Sequence, residues 1–431
     1  MENSAINSKF GVNVVGSVTG EYGLGEGTRS TLRAMQATNI PFKVKKVEVD
    51  WHRHLDTTYT DFISEETPYL FNLVHMNPDA NLYHSIGTQY FRDRYNIGYW
   101  AWELAQIPSS WPEYFYLFDE IWTPSNYAAE SLAANSPIPV ITIPHSLQLP
   151  KPCLNRERLG LPKDKFIFLF IFDFHSTLLR KNPIATIEAF KQAFGQFNQD
   201  VLLIIKFSNA EYHPDRKEEL KVAAEGWSSI RFIEGHLMKE EVQGLIYNSD
   251  CYVSLHRAEG FGLTMAESMY HGKPVIATGF SSNIEFMNVG NSFLVKYDLV
   301  TITEDEGSYF KGGVWADPDV DHAASLMRYV FENFEAAKRI GARAAQDIQS
   351  LLSPQKIGEK LRSRLEYIQQ RITGVECPTR TNQIHKLRAE RDLWASQTQA
   401  WKQTARDLQV ELKNHRKELQ KFHANHKKFI V

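Results

Sequence analysis

Asp250-Cys-Tyr-Val-Ser-Leu255, His256-Arg-Ala-Glu-Gly-Phe-Gly-Leu263, Thr264-Met-Ala-Glu-Ser-Met-Tyr-His271 and Gly272-Lys-Pro-Val-Ile-Ala-Thr278 run on without a gap, and their reading decides the fold. The apolar run ending at Leu255 predicts a buried strand, Gly260 and Gly262 a tight loop, and Gly272 with Pro274 the stop of a helix before the next strand. Such a loop leaves about four backbone N–H groups unpaired at the helix start, here on Gly260, Phe261, Gly262 and Leu263. Those donors and the helix dipole attract an anion, and the anion expected is a phosphate. Glu259 and Glu267 flank the site eight positions apart, the first on the loop and the second in the helix. Paired carboxylates accept hydrogen bonds from vicinal hydroxyls, so phosphate and carboxylates together suggest a nucleotide sugar. Thr264-Met-Ala-Glu267 also fits a capping box, in which Glu267 satisfies a backbone donor and nothing more.

A chain of 431 residues has room for two domains with substantial cores, and 43% hydrophobic with 23% charged residues fits a soluble globular protein. The net charge of -3 argues against nucleic acid as the main partner. No apolar run approaches the ~18 residues of a membrane span, and the polar start Met1-Glu-Asn-Ser is unlike a signal peptide, so a cytoplasmic location is expected. Cys153, Cys251 and Cys377 are too few and too far apart for a disulfide framework or a metal knuckle.

Strand-like runs at 11–16, 42–49, 69–74, 81–85, 96–100, 120–123 and 140–143 alternate with helical or loop stretches, which predicts a parallel, doubly wound sheet. The first run is followed by a loop rich in glycine, including Gly23 and Gly25, that fits a plain tight turn as well as a phosphate contact. Trp102 and Glu103 follow another strand end, where such sheets place ligands, although an aromatic core with an exposed Glu fits too. His84 is a further candidate on the same side. Pro144 to Pro152 reads as a linker, and a second series of strands opens at 166–172. There, Arg180 and Lys181 precede Pro183 and an amphipathic helix, a placement that also suits simple surface charge. Lys206 closes the apolar run 201–207, where burying its charge unpaired would cost several kcal/mol, so a phosphate partner is expected. Asp317, Asp319 and Asp321 precede a helix and are expected to cap it, with no metal bound.

The string from Glu259 to Glu267, followed by Gly272-Lys-Pro-Val-Ile-Ala-Thr278, resembles the donor signature of family 4 retaining glycosyltransferases, over roughly residues 10 to 370. The resemblance implies an α/β protein of the GT-B type: two Rossmann-like doubly wound domains facing a cleft, with a C-terminal helical tail. It implies an acceptor-side domain at 1–150, a donor-binding domain at 151–353 and a helix crossing back at 354–374. By the same resemblance Glu259 lies beside the donor sugar, Glu267 holds the ribose hydroxyls, and Lys181 meets the diphosphate. Gly23 and Gly25 face the donor phosphates and the acceptor across the cleft, and the loop at Ser281 to Asn283 faces the donor, with Glu285 structural. Two departures stand out. The family's phosphate-binding Arg falls near His175 and is missing, leaving Arg180 and Lys206 as substitutes, and the His common near Trp102 is replaced.

The activity implied is transfer of a hexose from a nucleotide sugar, of GDP-mannose or UDP-glucose type, to a hydroxyl of a glycan or lipid-linked acceptor, with no further cofactor. A nucleotide-sugar 2-epimerase of the same architecture and a catalytically silent scaffold are the alternatives. Residues 375–431 carry twelve Lys and Arg against six Asp and Glu, net +6, and leave -9 for the rest of the chain. With Ile384 at a, the d positions include Leu387, Trp394, Trp401 and Leu408, which predicts a long basic helix or coiled coil. Its expected partner is a second copy, another protein or the inner face of a membrane.

Overall fold

The computed structural model describes residues 9–48, 52–79, 83 and 85–373, so His84 and the heptad-patterned tail lie outside the described residues. Described residues up to Leu365 form one compact unit. It contains two parallel six-stranded sheets.

The first sheet is built from β1 (Lys9–Gly16), β2 (Phe42–Lys46), β3 (Tyr69–His75), β4 (Tyr95–Tyr99), β5 (Glu120–Thr123) and β6 (Val140–Thr142). Their spatial order is β2-β1-β3-β4-β5-β6. The second contains β7 (Phe166–Asp173), β8 (Val201–Ser208), β9 (Ile230–Glu234), β10 (Cys251–Ser254), β11 (Val275–Thr278) and β12 (Phe293–Val295), ordered β12-β11-β10-β7-β8-β9. The strands β7 and β8 are buried along almost their whole length. That matches their continuous apolar sequences, since a parallel sheet covered by helices on both faces offers no polar side.

The winding decides where ligands can sit. In the first sheet the chain leaves β1 toward β2 and then returns to the other side as β3, so a crevice opens between Gly16 and His75. In the second it reverses between β7 and β10, and the loops after those strands run from Phe174 to Lys181 and from Leu255 to Gly262. The glycine stretch and the Arg180-Lys181 pair therefore share one switch point.

Three local features depart from the expectations. Within the run 81–85, Tyr83 and Ser85 have helical backbone, as does Ile86 next to it. A short apolar run cannot be assigned by periodicity, and here Tyr83 is fixed by tertiary bonds: its hydroxyl donates to the Met76 carbonyl (3.2 Å) and accepts from Trp100 Nε1 (2.9 Å). No capping box forms at Thr264, because the helix Leu263–Tyr270 has Gly262 as its N-cap and Thr264 lies within the first turn. Finally, an antiparallel hairpin, β13 (Tyr297–Thr301) with β14 (Val314–Pro318), stands outside both parallel sheets. Asp319 caps the following helix, accepting from the His322 backbone N–H at 2.9 Å.

The start of the C-terminal helix Pro354–Thr373 lies on the first half. A Cβ on Gly358 would fall 2.2 Å from the Ala34 carbonyl oxygen, so only glycine permits this approach. Arg364 pairs with the wholly buried Glu120, which also accepts from Trp122 Nε1 at 2.6 Å.

Candidate active site

The loop after β7 is shaped to aim two cations inward. Asp173 caps its first turn through the His175 N–H (2.8 Å), Thr177 adopts φ +60°, and Asn182 at φ +53° caps the helix Pro183–Phe194. Between them, the short helix Leu178–Lys181 carries Arg180 and Lys181. Arg180 is 4% exposed, and its Nη1 donates to the Ala258 carbonyl (2.9 Å) and to Glu259 Oε1 (3.2 Å). Lys181 forms an ion pair with the same carboxylate.

Glu259 is therefore gripped by both neighbours in the sequence pair. Its backbone N–H donates to Ser281 Oγ (2.9 Å) and its carbonyl accepts from Ser282 Oγ (2.7 Å). Burial alone would raise its pKa, but Lys181 and Arg180 outweigh burial and hold the carboxyl at about 2. Lys181 is shifted down by burial, with Glu259 opposing the shift.

Residues of the first half reach the same cluster. Glu103 Oε1 lies 3.9 Å from Arg180 Nη2, and burial raises its pKa against the pull of Arg180. The Ser125 hydroxyl donates to the Gly260 carbonyl (2.9 Å), and a Cβ on Gly260 would come within 3.3 Å of the Trp102 carbonyl oxygen. Gly262, the N-cap of the helix Leu263–Tyr270, has φ +95°, a left-handed conformation that other residues adopt only at a cost in strain. Phe261 packs edge-on to His145 at 4.9 Å between ring centroids, and Leu263 opens the helix.

Glu267 sits one turn into that helix, 8% exposed. Burial, reinforced by Glu26 of the opposite half, pushes its carboxyl up to about 7. Glu26 itself pairs with Arg33 (2.9 Å) and, across the cleft, with Lys239 (2.9 Å). Lys206 is 6% exposed on β8, its pKa lowered by burial with Asp173 opposing. His256, unremarked in the sequence, braces the loop from below through Ser254 Oγ (3.0 Å) and Asn283 Oδ1 (3.1 Å).

In the first half, the ring of Trp102 stacks on Tyr309 (5.6 Å between centroids), is tilted against Trp111 (5.0 Å) and borders a cavity. Gly23 is exposed with open space around it, whereas a Cβ on Gly25 would fall 2.2 Å from the Gly20 carbonyl oxygen. Glu285 accepts from the Tyr127 N–H at 3.0 Å. Tyr309, on the hairpin, lies under Arg180 with 5.5 Å from guanidinium to ring centroid. Nothing in the sequence singles it out, because the contact depends on the hairpin folding back. Among the described residues, no group of three or more His, Cys, Asp or Glu is disposed to hold a metal ion.

Residues 154–347 match the family described as Glycosyl transferases group 1. No curated protein sequence matches the chain. Among solved structures it is similar to a glycosyltransferase from Rickettsia africae ESF-5, at 16% identity and TM-score 0.60, over 84% of this chain and 98% of that one. It is similar to sucrose-phosphate synthase from Thermosynechococcus elongatus, at 14% identity and TM-score 0.62, over 84% of this chain and 99% of that one. It is also similar to Alr3699/HepE of Anabaena in complex with UDP and glucose, at 13% identity and TM-score 0.58, over 83% of this chain and 100% of that one. The second sheet and its glycine loop thus lie in the stretch that matches the group 1 glycosyl transferases, and the likeness to the solved structures gives the chain a GT-B architecture over both halves.

Proposed function

We propose that the protein is a retaining glycosyltransferase of family 4 that moves a hexose from a nucleoside diphosphate sugar to a hydroxyl of a glycan or lipid-linked acceptor. One observation carries the reading: two adjacent cations, the buried Arg180 and the partly buried Lys181, are gathered by a single carboxylate beside an amide-rich helix start. Two cations this close, one of them buried, need anionic compensation, and a diphosphate supplies more of it than Glu259 alone. In this reading the sugar C1–O bond to the diphosphate breaks while the acceptor oxygen attacks C1 from the same face. The acceptor's proton passes to the departing phosphate oxygen, and Arg180, Lys181 and the loop amides stabilise the charge that develops there. Glu267 holds the ribose hydroxyls, and Lys206 stands as a further cation for the phosphates.

The donor is of UDP-glucose or GDP-mannose type, and the UDP-bound Anabaena neighbour makes UDP the first nucleotide to try. The test is incubation with labelled UDP-glucose and GDP-mannose, with and without glycan and polyprenyl phosphate acceptors, followed by NMR of the anomeric centre. Transfer with an axial donor linkage kept axial supports the proposal. Inverted product removes the retaining mechanism, and interconversion of the donor sugar without acceptor identifies an epimerase instead. Failure to bind any nucleoside diphosphate sinks the reading as a whole.

A further inference from the structure

His75 ends β3 at the crevice of the first sheet, opposite Gly16. Its side chain is 1% exposed and lies flat on Tyr99, with 4.0 Å between centroids and 11° between planes. Neither Nδ1 nor Nε2 has a hydrogen-bond partner. The contrast with its neighbour is sharp: His145, whose ring lies 6.4 Å from that of His75, has the Tyr99 hydroxyl at 3.3 Å from its Nδ1. Buried polar atoms are nearly always paired, so a buried imidazole with both nitrogens unpaired points to a partner that arrives from outside.

The cavity that His75 lines has a volume of about 410 Å³, at the smaller end of the range typical of small-molecule sites. Ser17 and Asn77 border it from the first half, Ser308 of the hairpin from the second, and Trp102 and Trp111 supply an apolar wall. Among the described lining residues there is one carboxylate, Asp79, and no Lys or Arg. Hydroxyls, an amide and aromatic edges without a cation suit an uncharged polyhydroxylated ring better than a phosphate. Burial, assisted by His145, lowers the imidazole pKa to about 3, so the ring stays neutral and offers one N–H and one lone pair, the complement of a hydroxyl.

We infer that this cavity binds the acceptor as a neutral hexopyranoside, and that His75 is the residue that hydrogen-bonds its hydroxyl. The inference rests on the transferase reading and narrows the acceptor's terminal unit to an uncharged sugar.

The test uses the full chain saturated with UDP or GDP and titrated calorimetrically with methyl and octyl glucopyranosides, galactopyranosides and mannopyranosides, with glucose 1-phosphate as the anionic comparator. At least one neutral pyranoside should bind, and His75→Phe should weaken it about tenfold while leaving nucleotide affinity unchanged. The same substitution should leave the melting temperature of the free protein equal or higher, because it removes an unpaired buried polar group. His75→Leu serves as the second variant if the larger ring disturbs folding. A preference for the sugar phosphate, equal pyranoside binding by both variants, or a marked drop in melting temperature in both would overturn the inference. Nucleotide binding without any pyranoside binding overturns it alone, whereas absent nucleotide binding removes the transferase reading beneath it.

Discussion

Two cations and one carboxylate within hydrogen-bonding distance make a charge-dense point in the protein, and the balance among them sets its chemistry. Under the proposed function, Lys181→Ala removes one preorganised donor to the leaving group and should lower kcat about a hundredfold, with a smaller change in KM, as read by steady-state transfer assays. Glu267 gives a pH signature. Its carboxyl titrates at about 7 in the folded protein against an ordinary value of 4.5. The native state therefore holds a proton that the unfolded chain releases, and stability falls as pH rises from about 4.5 to about 7. Melting curves of wild type and Glu267→Gln across that window should converge toward low pH and separate toward pH 7, with the variant the more stable. A nucleotide whose ribose hydroxyls donate to the ionised carboxylate should bind more tightly at pH 8 than at pH 6, and the variant should lose that dependence. Glu259, Glu267 and the glycines between them could be read directly, because they share nine consecutive positions. The pairing of Lys181 with Glu259, 78 positions apart, was not expected, since the resemblance gave each only a place near the donor, and His75 gave no sign at all. An unpaired buried nitrogen is a property of surroundings, not of residue type.

Among the elements, the loop between β10 and the helix Leu263–Tyr270 is the most demanding of its sequence. Gly262 combines φ +95° with a position where a Cβ would meet Met265 Cε at 2.6 Å. Gly262→Ala should cost about 1–3 kcal/mol of stability from backbone strain and should also weaken nucleotide binding, since the helix start would turn away. Chemical denaturation and calorimetry report the two effects separately. The parallel strands were legible because β7 and β8 are apolar without alternation and of ordinary length. The hairpin was not. Most of β13 is exposed, its turn is long, and its two strands are separated by residues 302–313, so neither alternation nor a tight turn marked it. The Asp317 to Asp321 stretch that follows was readable as a helix start because its capping bond spans three residues.

For the molecule as a whole, the C-terminal helix fastens its first turns to the sheet that starts the chain. Glu120 is fully buried and is compensated by Arg364, so Arg364→Met strands a carboxylate in the interior. The expected loss is about 3–5 kcal/mol, and the double variant with Glu120→Gln should recover part of it, as urea melts would show. The pairing joins positions 244 residues apart, and a Glu in a four-residue strand is indistinguishable in sequence from an edge charge.

The two halves also touch along the cleft itself: Ser125 holds the Gly260 carbonyl, Tyr127 donates to Glu285, and Glu26 meets Lys239. Each of these contacts spans the cleft, so any widening of it must break them, and faster hydrogen exchange at the Tyr127 amide would report the change.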